Sequence, residues 1–215
     1  MNEFLSYLLL APPILFAVTI HEYAHGWMAE KFGDLTAKLA GRLTLNPLAH
    51  LDLLGTLMLF LVKIGWAKPV PVNPYNLRHP RRDMVWISLA GPLANLSFAI
   101  LCGLLLRLFL ILDITPEGWL KPIFIIILYA FFINVALAAF NIIPIPPLDG
   151  SKILTGLIPH QWALKYRQLE RYGPLLLIAI IFLGRMIGFD PLGGLIFYLV
   201  DLVSFLVIGK KISSI

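Results

Sequence analysis

His21-Glu22-Tyr23-Ala24-His25 sets two imidazoles four residues apart, with a carboxylate beside the first. On a helix, residues i and i+4 share a face, so both rings can reach one tetrahedral metal ion. Glu22 then stands where a base can act on water at that metal. The competing reading is a chance pentapeptide, or polar groups packed inside a bundle. The setting weighs against it. Three ionisable groups within about one turn of an apolar segment are costly and mark function by default.

Two histidines do not complete a catalytic zinc site. Such a site takes three protein ligands and leaves one position open. The third must be a His, Glu, Asp or Cys at similar membrane depth. Asp149 is the best candidate, in Asn141-Ile142-Ile143-Pro144-Ile145-Pro146-Pro147-Leu148-Asp149-Gly150 after a long apolar run. The alternative for Asp149 is an N-cap on the helix continuing through Ser151 to Leu157.

The surroundings of these residues define the class. Of 215 residues, 59% are hydrophobic and 13% charged, and the mean hydropathy is +0.85. A soluble domain has about twice that charge, so too little remains to cover a water-facing surface. An ordinary soluble enzyme, a disordered regulator and a nucleic-acid binder are excluded. Long apolar runs favour helical spans over a β-barrel. The net charge of +5 fits Lys and Arg in cytoplasmic loops. The single cysteine, Cys102, lies in an apolar run and reads as a small buried hydrophobe. The start, Met1-Asn2-Glu3, lacks the basic residues of a cleavable signal peptide.

Along the chain, residues 4–32 form a first helix, with Pro12 and Pro13 as potential kinks. Residues 34–52 are polar, with a short alternating piece, 40–45, expected as strand. Residues 53–66 are apolar but only 14 long, the class of a re-entrant element. Residues 67–83, rich in proline and arginine, read as an extended loop. Further helices are expected over 84–112 and 119–143, then a Pro-rich bend, a polar stretch 159–172, and a pair over 174–189 and 192–209. The fold class is therefore an all-α polytopic bundle of five to six transmembrane helices, with one short re-entrant segment and a small strand-like element. It forms a single domain over 1–215, with its core at 4–157.

These residues also carry a resemblance. H-E-x-x-H in one membrane helix, followed far downstream by N-x-x-P-x-x-x-L-D-G, is similar to the site-2 protease family of intramembrane zinc metalloproteases. Ala90-Gly91-Pro92-Leu93-Ala94-Asn95 resembles the family's G-x-x-x-N motif, and Lys68-Pro69-Val70-Pro71-Val72-Asn73 is similar to prokaryotic members. The resemblance spans residues 21 to about 157 and leaves no room for an inserted PDZ-like or CBS-like domain. It implies one Zn²⁺ held by His21, His25 and Asp149, with Glu22 as the catalytic carboxylate. It also implies Asn95 and Asn141 near the substrate or its oxyanion. The expected partners are a transmembrane protein substrate and the lipid bilayer.

A topology follows from the ligands. If 53–66 crossed the membrane, helices 4–32 and 119–143 would be antiparallel and the ligands would lie near opposite faces. A re-entrant segment makes the helices parallel. One face then receives 13 basic residues and the other two, Lys121 and Arg185. The positive-inside rule puts the site towards the cytoplasmic face, with the N-terminus outside and the C-terminus inside.

Other polar residues have weaker claims. His50 and Asp52 read as a turn and helix cap sooner than ligands. Asp201, midway along the last span, is either a functional candidate by its cost or hydrogen-bonded inside the bundle. Trp66, Trp86 and Trp119 suit interface anchors. A membrane metal-ion transporter or a non-catalytic scaffold would use the same three ligands. Glu22 discriminates, because a hydrolase needs a carboxylate beside the ligands and a transporter does not.

Overall fold

The computed structural model describes residues 3–62, 65–186, 188 and 190–214. The long helices are α1 (Glu3–Lys31), α4 (Pro80–Ile111) and α5 (Leu120–Ile142). Shorter ones are α2 (Thr36–Leu39), α3 (Leu53–Val62), α6 (Asp149–Leu157), α7 (His160–Arg167), α8 (Gly173–Met186) and α9 (Pro191–Val207). Helix α1 continues through Pro12 and Pro13.

α4 is the central element. Its N-terminal part meets the C-terminal part of α1, where the Ile87 carbonyl bonds His25. Further along, Asn95 reaches both Ala17 of α1 and Asn134 of α5. α1 and α5 thus both pack antiparallel to α4, run parallel to each other and also meet directly. Beyond the polar layer, Ala99, Cys102 and Leu106 pack on Ala130, Phe131 and Val135, with Val200 of α9 closing the cluster. Cys102 is buried there as a small apolar residue.

Two boundaries differ from expectation. Residues 40–45 form turn and bend. Gly41 takes φ +67°, and Arg42 N–H returns to the Ala37 carbonyl at 2.8 Å. That is a helix-ending reversal, which leaves the alternating residues no partner strand. Among the described residues the β pairing is an isolated antiparallel bridge between Leu51 and Ala67. α4 starts at Pro80 rather than 84. Pro80 occupies the first turn, where a missing N–H costs nothing, and Asp83 accepts from His79 N–H at 2.8 Å.

Among the described residues, two helices, α4 and α5, are long and apolar enough to cross a membrane; five to six spans were expected. The described parts of α8 and α9 have 14 and 17 residues. The outer face of α4 exposes Leu101, Leu104, Leu108 and Ile111, a continuous apolar surface of the kind that lipid covers. Trp66, Trp86 and Trp119 are all exposed. Asp201 finds its partner in the C-terminal tail, accepting from Ser213 N–H and Oγ–H.

Candidate metal centre

α1 presents His21 and His25 one turn apart on the face toward α4, both buried. The bend after α5 delivers Asp149 as the first residue of α6. The residue preceding it, Leu148, occupies the N-cap position, and no side chain caps this end. Instead, Asp149 Oδ2 lies 3.1 Å from His21 Nε2 and 3.1 Å from His25 Nε2. Among the described residues, these three form the one cluster of His, Cys, Asp and Glu able to hold a metal, with ligand atoms within 4.8 Å of one another. The second carboxylate oxygen, Oδ1, lies 3.7 Å from Lys152 Nζ.

The far sides of both rings are committed. His25 Nδ1 lies 2.6 Å from the Ile87 carbonyl oxygen, which can only accept, so Nδ1 carries the proton. His21 Nδ1 lies 2.6 Å from Asn95 Oδ1, and a relay fixes that orientation. Asn134 Nδ2 donates to the Ala130 carbonyl at 2.8 Å, which leaves its Oδ1 to accept from Asn95 Nδ2 at 2.7 Å. Asn95 Nδ2 also donates to the Ala17 carbonyl at 2.9 Å. Asn95 Oδ1 therefore faces His21 and accepts from it. With Nδ1 partnered on the far side, each ring turns its Nε2 toward one oxygen of Asp149, at 3.1 Å.

The donor set of two imidazoles and a carboxylate is that of catalytic zinc, and the Nδ1 partners are the outer hydrogen bonds that orient such ligands. Space is kept by Gly91. A Cβ there would lie 2.5 Å from His25 Nε2 and 2.7 Å from His21 Cε1. The residues present fit a zinc ion.

Glu22, half-buried beside His21, turns to the Pro-rich segment after α3. Its Oε2 accepts from Val70 N–H at 2.8 Å. Asn95 sits behind His21 as its hydrogen-bond acceptor. Asn141 is half-buried and donates to its own helix at the Leu137 carbonyl, 3.0 Å away. His50 is buried, with Nε2 bonded to the Thr44 carbonyl at 2.8 Å, and Asp52 accepts from Gly55 N–H at the start of α3. Neither joins the cluster. Asn134 was missed by sequence reasoning, although a lone amide inside an apolar run was a usable signal. The Ile87 carbonyl left none, since every residue has one.

The profile of Peptidase family M50 matches residues 115–184, a stretch that includes Asp149. Curated relatives extend the match. The chain is 40% identical over 184 residues to a Bacillus subtilis protein named as a candidate zinc metalloprotease, YwhC, covering 80% of this chain and 82% of that one. It is 35% identical over 152 residues to the similarly named Rip2 of Mycobacterium tuberculosis, covering 68% and 54%. It is 31% identical over 144 residues to MJ0611 of Methanocaldococcus jannaschii, also so named, covering 67% of each. No solved structure matches the chain.

Proposed function

Since the chain belongs to peptidase family M50, the site-2 protease family, we propose that it is an intramembrane zinc endopeptidase cleaving peptide bonds in or near transmembrane segments. His21, His25 and Asp149 hold one Zn²⁺, and Glu22 is the catalytic carboxylate. The observation that supports this reading is the convergence of His21 Nε2 and His25 Nε2 on Asp149 Oδ2, with the Glu22 carboxylate next to His21 in the chain. When bound, zinc supplies Lewis-acid chemistry, polarising a carbonyl and making water nucleophilic at neutral pH.

The chain's own residues do the rest. Glu22 takes a proton from the attacking water and returns it to the leaving amine. Asn95, donating through Nδ2 to Ala17 and Asn134, keeps His21 in the tautomer that exposes Nε2. Asn141 lies at the end of α5 beside the irregular bend, a place for substrate contact. Irregular backbone at 143–148 is tolerated at membrane depth where it lines a cavity. A transmembrane substrate must unwind there before its carbonyl is accessible.

We also read 53–66 as re-entrant, residues 63 and 64 lying outside those described. The apolar run has 14 residues, short of the ~20 that a full helical span needs. The Leu51–Ala67 bridge brings its two ends back together. The bilayer topology is then an outside N-terminus, a cytoplasmic C-terminus and a site opening towards the cytoplasm.

The test is Glu22→Gln in the full-length protein, assayed on a labelled single-span transmembrane peptide. Zinc content is expected to stay at one ion per chain while cleavage is lost, because an amide cannot accept the proton. Substantial residual proteolysis would remove Glu22 from its role.

A further inference from the structure

Asp34 lies outside the candidate metal cluster, yet it is fully buried, with no accessible surface. It is placed there by the end of α1. Gly33 takes φ +106°, and Asp34 N–H returns to the Ala29 carbonyl at 2.9 Å, which folds the chain back against its own helix. The carboxylate then accepts from Thr36 N–H (3.1 Å) and Thr36 Oγ1–H (2.5 Å) of its own turn. It also reaches across to the segment before α4, accepting from Asn73 N–H at 2.7 Å and Asn76 Nδ2 at 2.9 Å.

That segment runs directly over Glu22. In Lys68-Pro69-Val70-Pro71-Val72-Asn73 the prolines have no N–H, and three of the remaining N–H groups are all used inward. Lys68 N–H donates to the His50 carbonyl at 2.9 Å, Val70 N–H to Glu22 at 2.8 Å, and Asn73 N–H to Asp34. Val70 is buried against Gly26, where a Cβ would come within 3.2 Å of its Cγ1. Arg42 holds the same strap from the other side, at the Lys68 carbonyl, 2.6 Å away.

We propose that Asp34 is a positioning residue for catalysis: it anchors the 68–73 strap, and the strap's Val70 N–H holds the Glu22 carboxylate in its working orientation. The inference rests on the reading of Glu22 as the catalytic carboxylate. A carboxylate beside a metal has several staggered rotamers, and one directed donor from a rigid backbone selects among them. Prolines on both sides of Val70 stiffen that donor, and Asp34 fixes it to the end of α1, the helix that carries Glu22. The helix thereby controls its own catalytic side chain through a closed loop of hydrogen bonds.

The experiment is a double-mutant cycle on the full-length protein in detergent, with a labelled single-span transmembrane peptide as probe and kcat expressed per bound zinc. Asp34→Asn sets an amide donor against the Asn73 or Asn76 donor, and Val70→Pro deletes the N–H that Glu22 uses. Each is expected to lower kcat about 10–100-fold, the range for residues that orient a metal-site group, with KM unchanged. The double variant is expected to be no worse than Val70→Pro alone, because both break one chain of contacts. Losses that multiply in the double variant would overturn the proposal. So would an Asp34→Asn variant that loses zinc or melting temperature while kcat per zinc stays at the wild-type value. If Val70→Pro does not fold, Gly26→Ala replaces it in the cycle, displacing the strap by a methyl group, with the same two outcomes. Failure of the underlying reading is distinguishable, since Glu22→Gln would then retain cleavage whatever the cycle shows.

Discussion

Asp149 Oδ2 lies 3.1 Å from Nε2 of both His21 and His25, and both Nδ1 atoms have oxygen partners on the far side. In the zinc reading proposed above, those partners orient the rings toward the ion. Two substitutions probe this. Asp149→Asn replaces an anionic ligand by a neutral amide, a poorer one. Gly91→Ala puts a methyl group where the ligand rings already stand. Both are expected to weaken zinc retention, Gly91→Ala by about 10–100-fold, comparable with loss of a supporting hydrogen bond. Gly194→Ala, where a Cβ would meet nothing within 4 Å, is expected to leave it unchanged. Zinc content after dialysis against a chelator is the measurement, and equal retention in Gly91→Ala would show that this space is not needed.

At the scale of the elements, a buried carboxylate, Asp34, ties the end of α1 to the segment before α4, beside an apolar cluster of Ala29, Leu77 and Ile87. Burial raises the pKa of Asp34, but hydrogen bonds from the Thr36 hydroxyl, Asn76, Asn73 N–H and Thr36 N–H outweigh it and hold the carboxyl below its usual range. A carboxyl depressed on folding contributes stability that is fully present above its unfolded value, about 3.9. That contribution is lost as pH falls through the folded value. Protection of the Asn73 and Val70 amides against hydrogen exchange is therefore expected to fall as pH drops below about 4, after correction for intrinsic rates. In Asp34→Asn the protection is expected to be lower at neutral pH and to lack this step. A step of equal size in the variant would assign the effect to another carboxylate.

For the whole molecule, the contacts between Asp34 and the Asn73–Asn76 turn place the loop after α1 beside the loop before α4. Cysteines introduced at Lys38 and Arg78 are therefore expected to react with an impermeant thiol reagent from the same membrane face, the cytoplasmic one. Labelling from opposite faces would refute a re-entrant α3. Parallel α1 and α5, both packed against an antiparallel α4 and against each other, meet the condition that brings residues 128 positions apart to one point. The expected asymmetry of 13 basic residues against two follows from the same arrangement.

Composition and local spacing pointed to an apolar helical chain, to the two-histidine turn and to Asp149 as the candidate third group, because these rest on short-range rules. An apolar run declares itself by length and imidazoles at i and i+4 share a face by helical geometry, whereas Asp149 also read as an N-cap until the fold set it 3.1 Å from both rings. The relatives' similarity agrees at the level of the family. The start of α4 was legible only in part, since proline reads as a breaker unless its place in the first turn is known. The 40–45 alternation failed because a strand needs a partner, and none is offered there. What tertiary structure alone decided is which groups stand behind the site: the Ile87 carbonyl under His25, the Asn134–Asn95 relay under His21, the space at Gly91, and the strap from Asp34 to Glu22. Each depends on the relative placement of elements far apart in the chain, and the backbone partners among them, the Ile87 carbonyl and the Val70 N–H, have no residue-specific signature.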